Sequence, residues 1–236
     1  AVLTVDYLLP AGNRYIVTYR IYPSGVIKAD YTFTPVEQKT NRTGDAEVEI
    51  DPFTLGSEDI QKRRSELVVP RIGMRFRLFV DMNLITYFGR GPEENYIDRN
   101  AGVTVDLFQN TAEQMYYVRP QENGYRTDTR WLTLKEKNGK GLTIYADHTM
   151  GFTALRNSIE DFDGEEAILR DYQWLNRNEE ELKHDTIAAK NVRPRQTHIN
   201  DITPENFVEV CIDMKQMGVG GYDSWGAIPD SQYLIP

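Results

Sequence analysis

Arg14-Tyr-Ile-Val-Thr-Tyr-Arg-Ile-Tyr22, Pro23-Ser-Gly25 and Val26-Ile-Lys-Ala-Asp-Tyr-Thr-Phe-Thr34 spell out strand, turn and strand. β-branched and aromatic residues fill both arms, and the Pro-Ser-Gly break supplies the turn chemistry between them. In the second arm Ile27, Ala29, Tyr31 and Phe33 alternate with polar residues, so they share one face of a pleated strand. This hairpin sets the expectation for the whole chain.

Further segments repeat the pattern. Leu67 to Val80 reads as a strand with Met74, Phe76, Leu78 and Val80 on one face and Arg75, Arg77 and Phe79 on the other. Asn83 to Phe88, Gly102 to Phe108 and Gly151 to Leu155 read as short strands. Thr127 to Lys135 and Gly141 to Asp147 form a hairpin around Asn138-Gly139, a strong turn pair. Gln196 to Ile199 and Phe207 to Met214 are expected as strands, and short helical turns at Glu58 to Arg64 and Glu179 to His184. Turn signals every few residues, without a long segment of helical period, predict an all-β fold, a large antiparallel β-sandwich. No repeat or linker divides the 236 residues, so one domain over 1–236 is expected.

Composition removes several function classes. The net charge is −9, against a surface made for phosphate backbones, and nucleic acid is not an expected partner. No apolar run approaches the roughly 20 residues of a membrane span, so no membrane is expected either. The start, Ala1-Val-Leu-Thr-Val5, reads as a strand and not as a leader. The single cysteine, Cys211, is expected on the apolar face of its strand as a buried thiol. A soluble chain, cytoplasmic or periplasmic, is expected.

Catalytic constellations are missing from the pattern. His148, His184 and His198 are far apart, with no metal-ligand spacing. The acid doublets Glu93/Glu94 and Glu165/Glu166 and the run Glu179 to Glu181 are adjacent in sequence. On a strand such neighbours point to opposite faces, unlike the facing pair a glycosidase needs. No catalytic residue, metal or cofactor is therefore assigned. Three polar, glycine-bearing loops stand out instead: Gly89 to Arg99, Arg119 to Arg130 and Met217 to Trp225. Asn95, Arg99, Glu122, Asn123 and Arg126 suit either a polyol ligand or hydrogen bonds that tie the loops to each other. The need to satisfy buried loop backbone favours the second. Trp225, at the end of the glycine loop, either seals the rim of a core or offers a stacking face.

Four ordered motifs carry a resemblance: Pro70-Arg-Ile-Gly-Met-Arg-Phe76, Gly89-Arg-Gly-Pro-Glu-Glu-Asn-Tyr-Ile-Asp-Arg99, Pro120-Gln-Glu-Asn-Gly124 with Thr129-Arg130, and Met217-Gly-Val-Gly-Gly-Tyr-Asp-Ser-Trp225. Together they resemble the C-terminal, small-chain region (the fifth domain) of the lac-type β-galactosidases of glycoside hydrolase family 2. The resemblance implies a supersandwich related to galactose mutarotases, and a chain that is a fragment of a multidomain glycosidase. It implies that the catalytic glutamates lie in a central (β/α)₈ barrel outside this chain, with Mg and Na bound in other domains. It assigns Trp225 to stacking on the sugar, with Asp223 and Ser224 beside it as substrate-binding residues. The partners it implies are a galactoside, the barrel, and a further copy in a homo-oligomer. The motifs depart from the family at Tyr222, where an acid is common. Asn157 to Asn178 has no counterpart and reads as an insertion. Two rival functions are an independent carbohydrate-binding module and a stand-alone aldose mutarotase or epimerase, the latter needing His148 or His184 opposite a carboxylate.

Overall fold

The computed structural model of the chain describes residues 1–9, 12–35, 69–117, 123–162, 196, 198–221 and 229–235. They contain nine strands and short 3₁₀ turns, divided between two compact units, Ala1–Glu66 and Leu67–Pro236. All strand pairings are antiparallel, as the all-β sandwich class requires.

The first unit holds β1 (Val2–Leu8), β2 (Arg14–Ile21) and β3 (Ile27–Thr34) in that order across one sheet. The hairpin that opened the sequence reading is β2–β3, in register from Arg14 opposite Thr34 to Ile21 opposite Ile27. Pleating sorts its side chains. Tyr7, Tyr15 and Phe33 share a rung, and so do Val5, Val17 and Tyr31. The other face carries the Asp6–Arg14 and Arg20–Asp30 ion pairs and the Thr4–Thr18 hydroxyl pair.

The second unit holds β4 (Arg71–Phe79), β5 (Leu84–Gly91), β6 (Thr104–Thr111), β7 (Arg126–Lys135), β8 (Gly141–Leu155) and β9 (Phe207–Gln216). Their order across the sheet is β4-β9-β8-β7-β5-β6. One face of this sheet is the core. Ile85, Tyr87, Leu132, Leu134, Phe152, Ala154, Val208, Val210 and Ile212 are buried there, with Met74, Phe76 and Leu78 of β4 packed against them. The predicted face of β4 is thus the one that packs.

Three expectations need correction. Gly151 to Leu155 is not a separate strand but the end of the 15-residue β8, which pairs with β7 from Gly141 to Phe152 along one edge and with β9 from Gly151 to Leu155 along the other. Register shifts between Arg126 and Trp131 mark irregularities in the β7 pairing. His198 and Ile199 are not in a strand; a 3₁₀ turn runs over Ile199–Asp201, and Asp201 accepts the His198 backbone N–H. Cys211 is buried, but Val208, Val210 and Ile212 take the core face, which leaves Cys211 on the opposite face with Glu209 and Asp213. Alternation itself sets Glu209, Cys211 and Asp213 opposite Val208, Val210 and Ile212, and Cys211 is buried because both faces of β9 are covered. The expected turns at Glu58 to Arg64 and Glu179 to His184, and most of the expected insertion, lie outside the described residues.

Candidate functional site

β5 runs through Gly91, so the Gly89 to Arg99 motif starts inside the sheet. The Gly91–Pro92 peptide is cis, and the chain then leaves as a loop. Asn95 anchors that loop from within. Its amide donates to the carbonyls of Arg90 (3.2 Å) and Glu93 (3.0 Å), and its Oδ1 accepts from the backbone and hydroxyl of Thr127. Arg126 donates to Gly124 O at 2.7 Å and to Pro92 O at 2.8 Å. Asn123 accepts the Tyr117 N–H. All three side chains are buried. Tyr96 stacks on Tyr125 at 5.9 Å, almost parallel, and its hydroxyl donates to Glu94. Burial raises the Glu94 carboxyl above its ordinary range.

The glycine loop begins as β9 ends. Met217 N–H bonds Pro70 O at 2.9 Å and Gly218 N–H bonds Tyr233 O at 2.8 Å. The next two amides turn toward the other loop. Asp98 accepts Val219 N–H at 3.1 Å through one carboxylate oxygen and Gly220 N–H at 2.8 Å through the other. Arg99 donates to Gly220 O at 3.1 Å. Successive amides that converge on one carboxylate make an anion-accepting concavity, filled here by the protein's own aspartate. Two glycine requirements follow. Gly220 and Gly221 have φ of +60° and +72°. A Cβ on Gly218 would fall 2.5 Å from Asp98 Oδ2, so only glycine lets the two loops close to this distance.

The sequence-assigned residues Asp223, Ser224 and Trp225 lie outside the described residues, as do Tyr222 and Glu122. Asn95, Arg99, Asn123 and Arg126 do what the second of their two readings required: they satisfy loop backbone. Asp98 is the residue sequence reasoning missed. Its signal was an acid in one motif and a run of glycine amides in another, with nothing to show that they meet.

Among the described residues no three His, Cys, Asp or Glu side chains gather as a metal site, and no helix is long and apolar enough to cross a membrane. His148 is an exposed residue of β8, and the His198 ring bonds Asp201 at 3.0 Å; His184 lies outside the described residues. A cavity of about 10 Å³ is lined by Arg71, Asn123, Thr153, Asn157 and Glu209 together with Leu155, Ile159 and Phe162. Its size suits a bound water and not a sugar ring.

A family model for the β-galactosidase small chain matches residues 1–236. The β-galactosidase of Priestia megaterium is 29% identical over 196 residues, 81% of this chain and 15% of the relative. That of Halalkalibacterium halodurans is 30% identical over 169 residues, 71% of this chain and 14% of the relative. That of Vibrio cholerae is 27% identical over 194 residues, 81% of this chain and 15% of the relative. The chain therefore spans about a seventh of the length of these relatives.

Proposed function

We propose, from the premise that the chain belongs to the β-galactosidase small-chain family, that it is the accessory region of a larger β-galactosidase and completes the sugar site from outside the catalytic body. Hydrolysis with retention needs two carboxylates facing each other across the glycosidic bond. In this proposal both belong to the larger body. This chain supplies a stacking ring, Trp225, and polar neighbours, Asp223 and Ser224. The indole face takes the apolar C–H face of a sugar ring, while hydroxyl and carboxylate groups fix its orientation.

The observation that supports this reading is the clasp of Asp98 and Arg99 on Val219 and Gly220. It fixes the backbone five residues before Trp225, and both halves come from motifs of the resemblance. Held backbone is what a stacking ring needs if binding is not to spend its energy on ordering the loop. Asp98 is a positioning residue in this account, not a catalytic one.

Steady-state hydrolysis of a chromogenic β-galactoside by the complete polypeptide tests it. Trp225→Ala should raise KM about tenfold, which corresponds to about 1.4 kcal/mol of lost contact, and Trp225→Phe should restore part of it. Asp98→Asn, which keeps the size but leaves one oxygen to accept where there were two, should raise KM less. Kinetics unchanged in Trp225→Ala would remove the proposal. So would galactosidase activity in the purified 236-residue chain alone.

A further inference from the structure

One rung of the six-stranded sheet is apolar on the face turned away from the core. Leu107 of β6 pairs with Phe88 of β5, Phe88 with Trp131 of β7, and Trp131 with Tyr145 of β8. Direct cross-strand partners point to the same side of a sheet, so the four side chains form one continuous row. Three of them are exposed, Tyr145 at 75%, Leu107 at 53% and Phe88 at 37%, with Trp131 half-buried between them. The Arg130 guanidinium sits over the Phe88 ring, 5.5 Å from its centroid.

The neighbouring rung is of another kind. Gln109, Thr86, Thr133 and Thr143 are paired in the same order across the same four strands, and the Thr133 and Thr143 hydroxyls lie 3.0 Å apart. On the other side of the row, Arg90 and Asp128 form an ion pair. The face is thus a narrow apolar row, with hydroxyls and an amide along one edge and, along the other, Val105 beside the neutralised pair of Arg90 and Asp128.

We propose that this row binds a neutral oligosaccharide laid across the strands, with pyranose faces on Phe88, Trp131 and Tyr145 and sugar hydroxyls on Thr86, Thr133, Thr143 and Gln109. Sheet geometry repeats the ring platform about every 4.8 Å, a step comparable with one sugar ring. The hydroxyl edge offers donors and acceptors to a polyol, whereas an apolar partner would strip those groups of water without replacing it. Width separates a glycan from a protein partner. A stable protein interface covers about 800 Å² on each side around an apolar centre, and a strip of four side chains bordered by threonines does not supply one. Charge narrows the ligand further. The row itself holds no carboxylate, and a chain of net charge −9 does not attract an acidic glycan. None of these residues belongs to the glycine loop or its clasp, so the inference stands independently of the function proposed above.

Affinity electrophoresis of the full chain through gels containing soluble β-1,4-galactan, galactomannan or hydroxyethylcellulose provides the test. Wild type should be retarded in at least one of them. Trp131→Ala and Tyr145→Ala should each reduce the retardation several-fold, the double variant should abolish it, and Thr133→Ala should weaken it. These side chains are outside the core, and a thermal melt within a few degrees of wild type confirms that the variants fold. No retardation of wild type in any gel would overturn the proposal, as would retardation unchanged in the double variant. Retardation lost in Trp225→Ala but kept in the double variant would place the sugar at the other site and equally overturn it. Self-association in sedimentation that the double variant abolishes, without retardation in any gel, would make the row a protein interface instead.

Discussion

Two adjacent rungs of one sheet, built on the same four strands, meet opposite fates. Phe108, Tyr87, Leu132 and Ile144 pair across β6, β5, β7 and β8 and pack in the core. Leu107, Phe88, Trp131 and Tyr145 stand one residue away on each strand and face outward. Composition does not distinguish them, since each rung mixes large aromatic and aliphatic residues. What differs is the side of the pleat and what covers it: on one side Met115, Phe152 and Val210 join the cluster, on the other the Arg130 guanidinium lies over the Phe88 ring. An apolar residue on an exposed sheet face is a statement about a partner, where the same residue inside is a statement about stability.

The comparison breaks most sharply at Leu132 and Trp131, neighbours in sequence. Leu132→Ala should cost about 2–5 kcal/mol in urea unfolding, the range for emptying a buried leucine site. Trp131→Ala, although it removes the larger side chain, empties no closed site and should cost about 1–2 kcal/mol. Equal losses would mean that the outer row is structural after all.

The outer face is not open along its whole length, and a second prediction sharpens that point. At the β9 end, Glu209 and Asp213 are buried on the side opposite Val210 and Ile212. Arg71 pairs with Asp213, while Arg75 and Arg77 donate to one oxygen of Glu209 at 2.8 and 3.0 Å. Ile159 N–H donates to the other oxygen at 3.2 Å. Glu209→Ala should therefore destabilise by about 1–2 kcal/mol, since it removes the buried acceptor of three hydrogen bonds while Arg75 keeps Glu160 and Arg77 keeps access to solvent. Unfolding curves of Glu209→Ala and Trp131→Ala, run side by side, compare the closed and open ends of one face.

A smaller effect follows from pH. Arg75 also grips Glu160 through two bonds of 2.6 Å, which pulls the Glu160 carboxyl from its ordinary 4.5 down to about 2. A carboxylate whose folded value is depressed contributes stability above its unfolded value and loses it as pH falls through the folded one. The window is therefore pH 4.5 down to about 2. Because Glu160 is 62% exposed, solvent screening holds the contribution to about 1 kcal/mol or less. Glu160→Gln should flatten the melting temperature across that window and leave the slope above pH 5 unchanged.

Local chemistry made most of the strands legible. The β2–β3 and β7–β8 hairpins lie where turn residues and alternation place them, and the inward face of β4 is the apolar one. Pairing across distance was less legible. β8 pairs with β7 along one edge and with β9 along the other, and no periodicity announces that its last residues gain the second neighbour. Cys211 shares the face of Glu209 and Asp213, as alternation from Val208 and Val210 requires, and is buried there because β9 is covered on both sides. Of the site, the two loops were visible as motifs, and their self-tying through Asn95, Arg99, Asn123 and Arg126 followed from backbone satisfaction. The carboxylate of Asp98 was not foreseen. A hydrogen bond between positions 121 residues apart leaves no mark on either local pattern.

That separation has a kinetic meaning. Contacts between residues so distant in sequence close only after nearer pairings have shortened the loop between them, because chain entropy opposes them at first. Asp98 follows β5, and Val219 follows β9, the last strand of the sheet. The clasp is thus among the late events of folding. Mutations that loosen it should hasten unfolding and leave the refolding rate almost untouched.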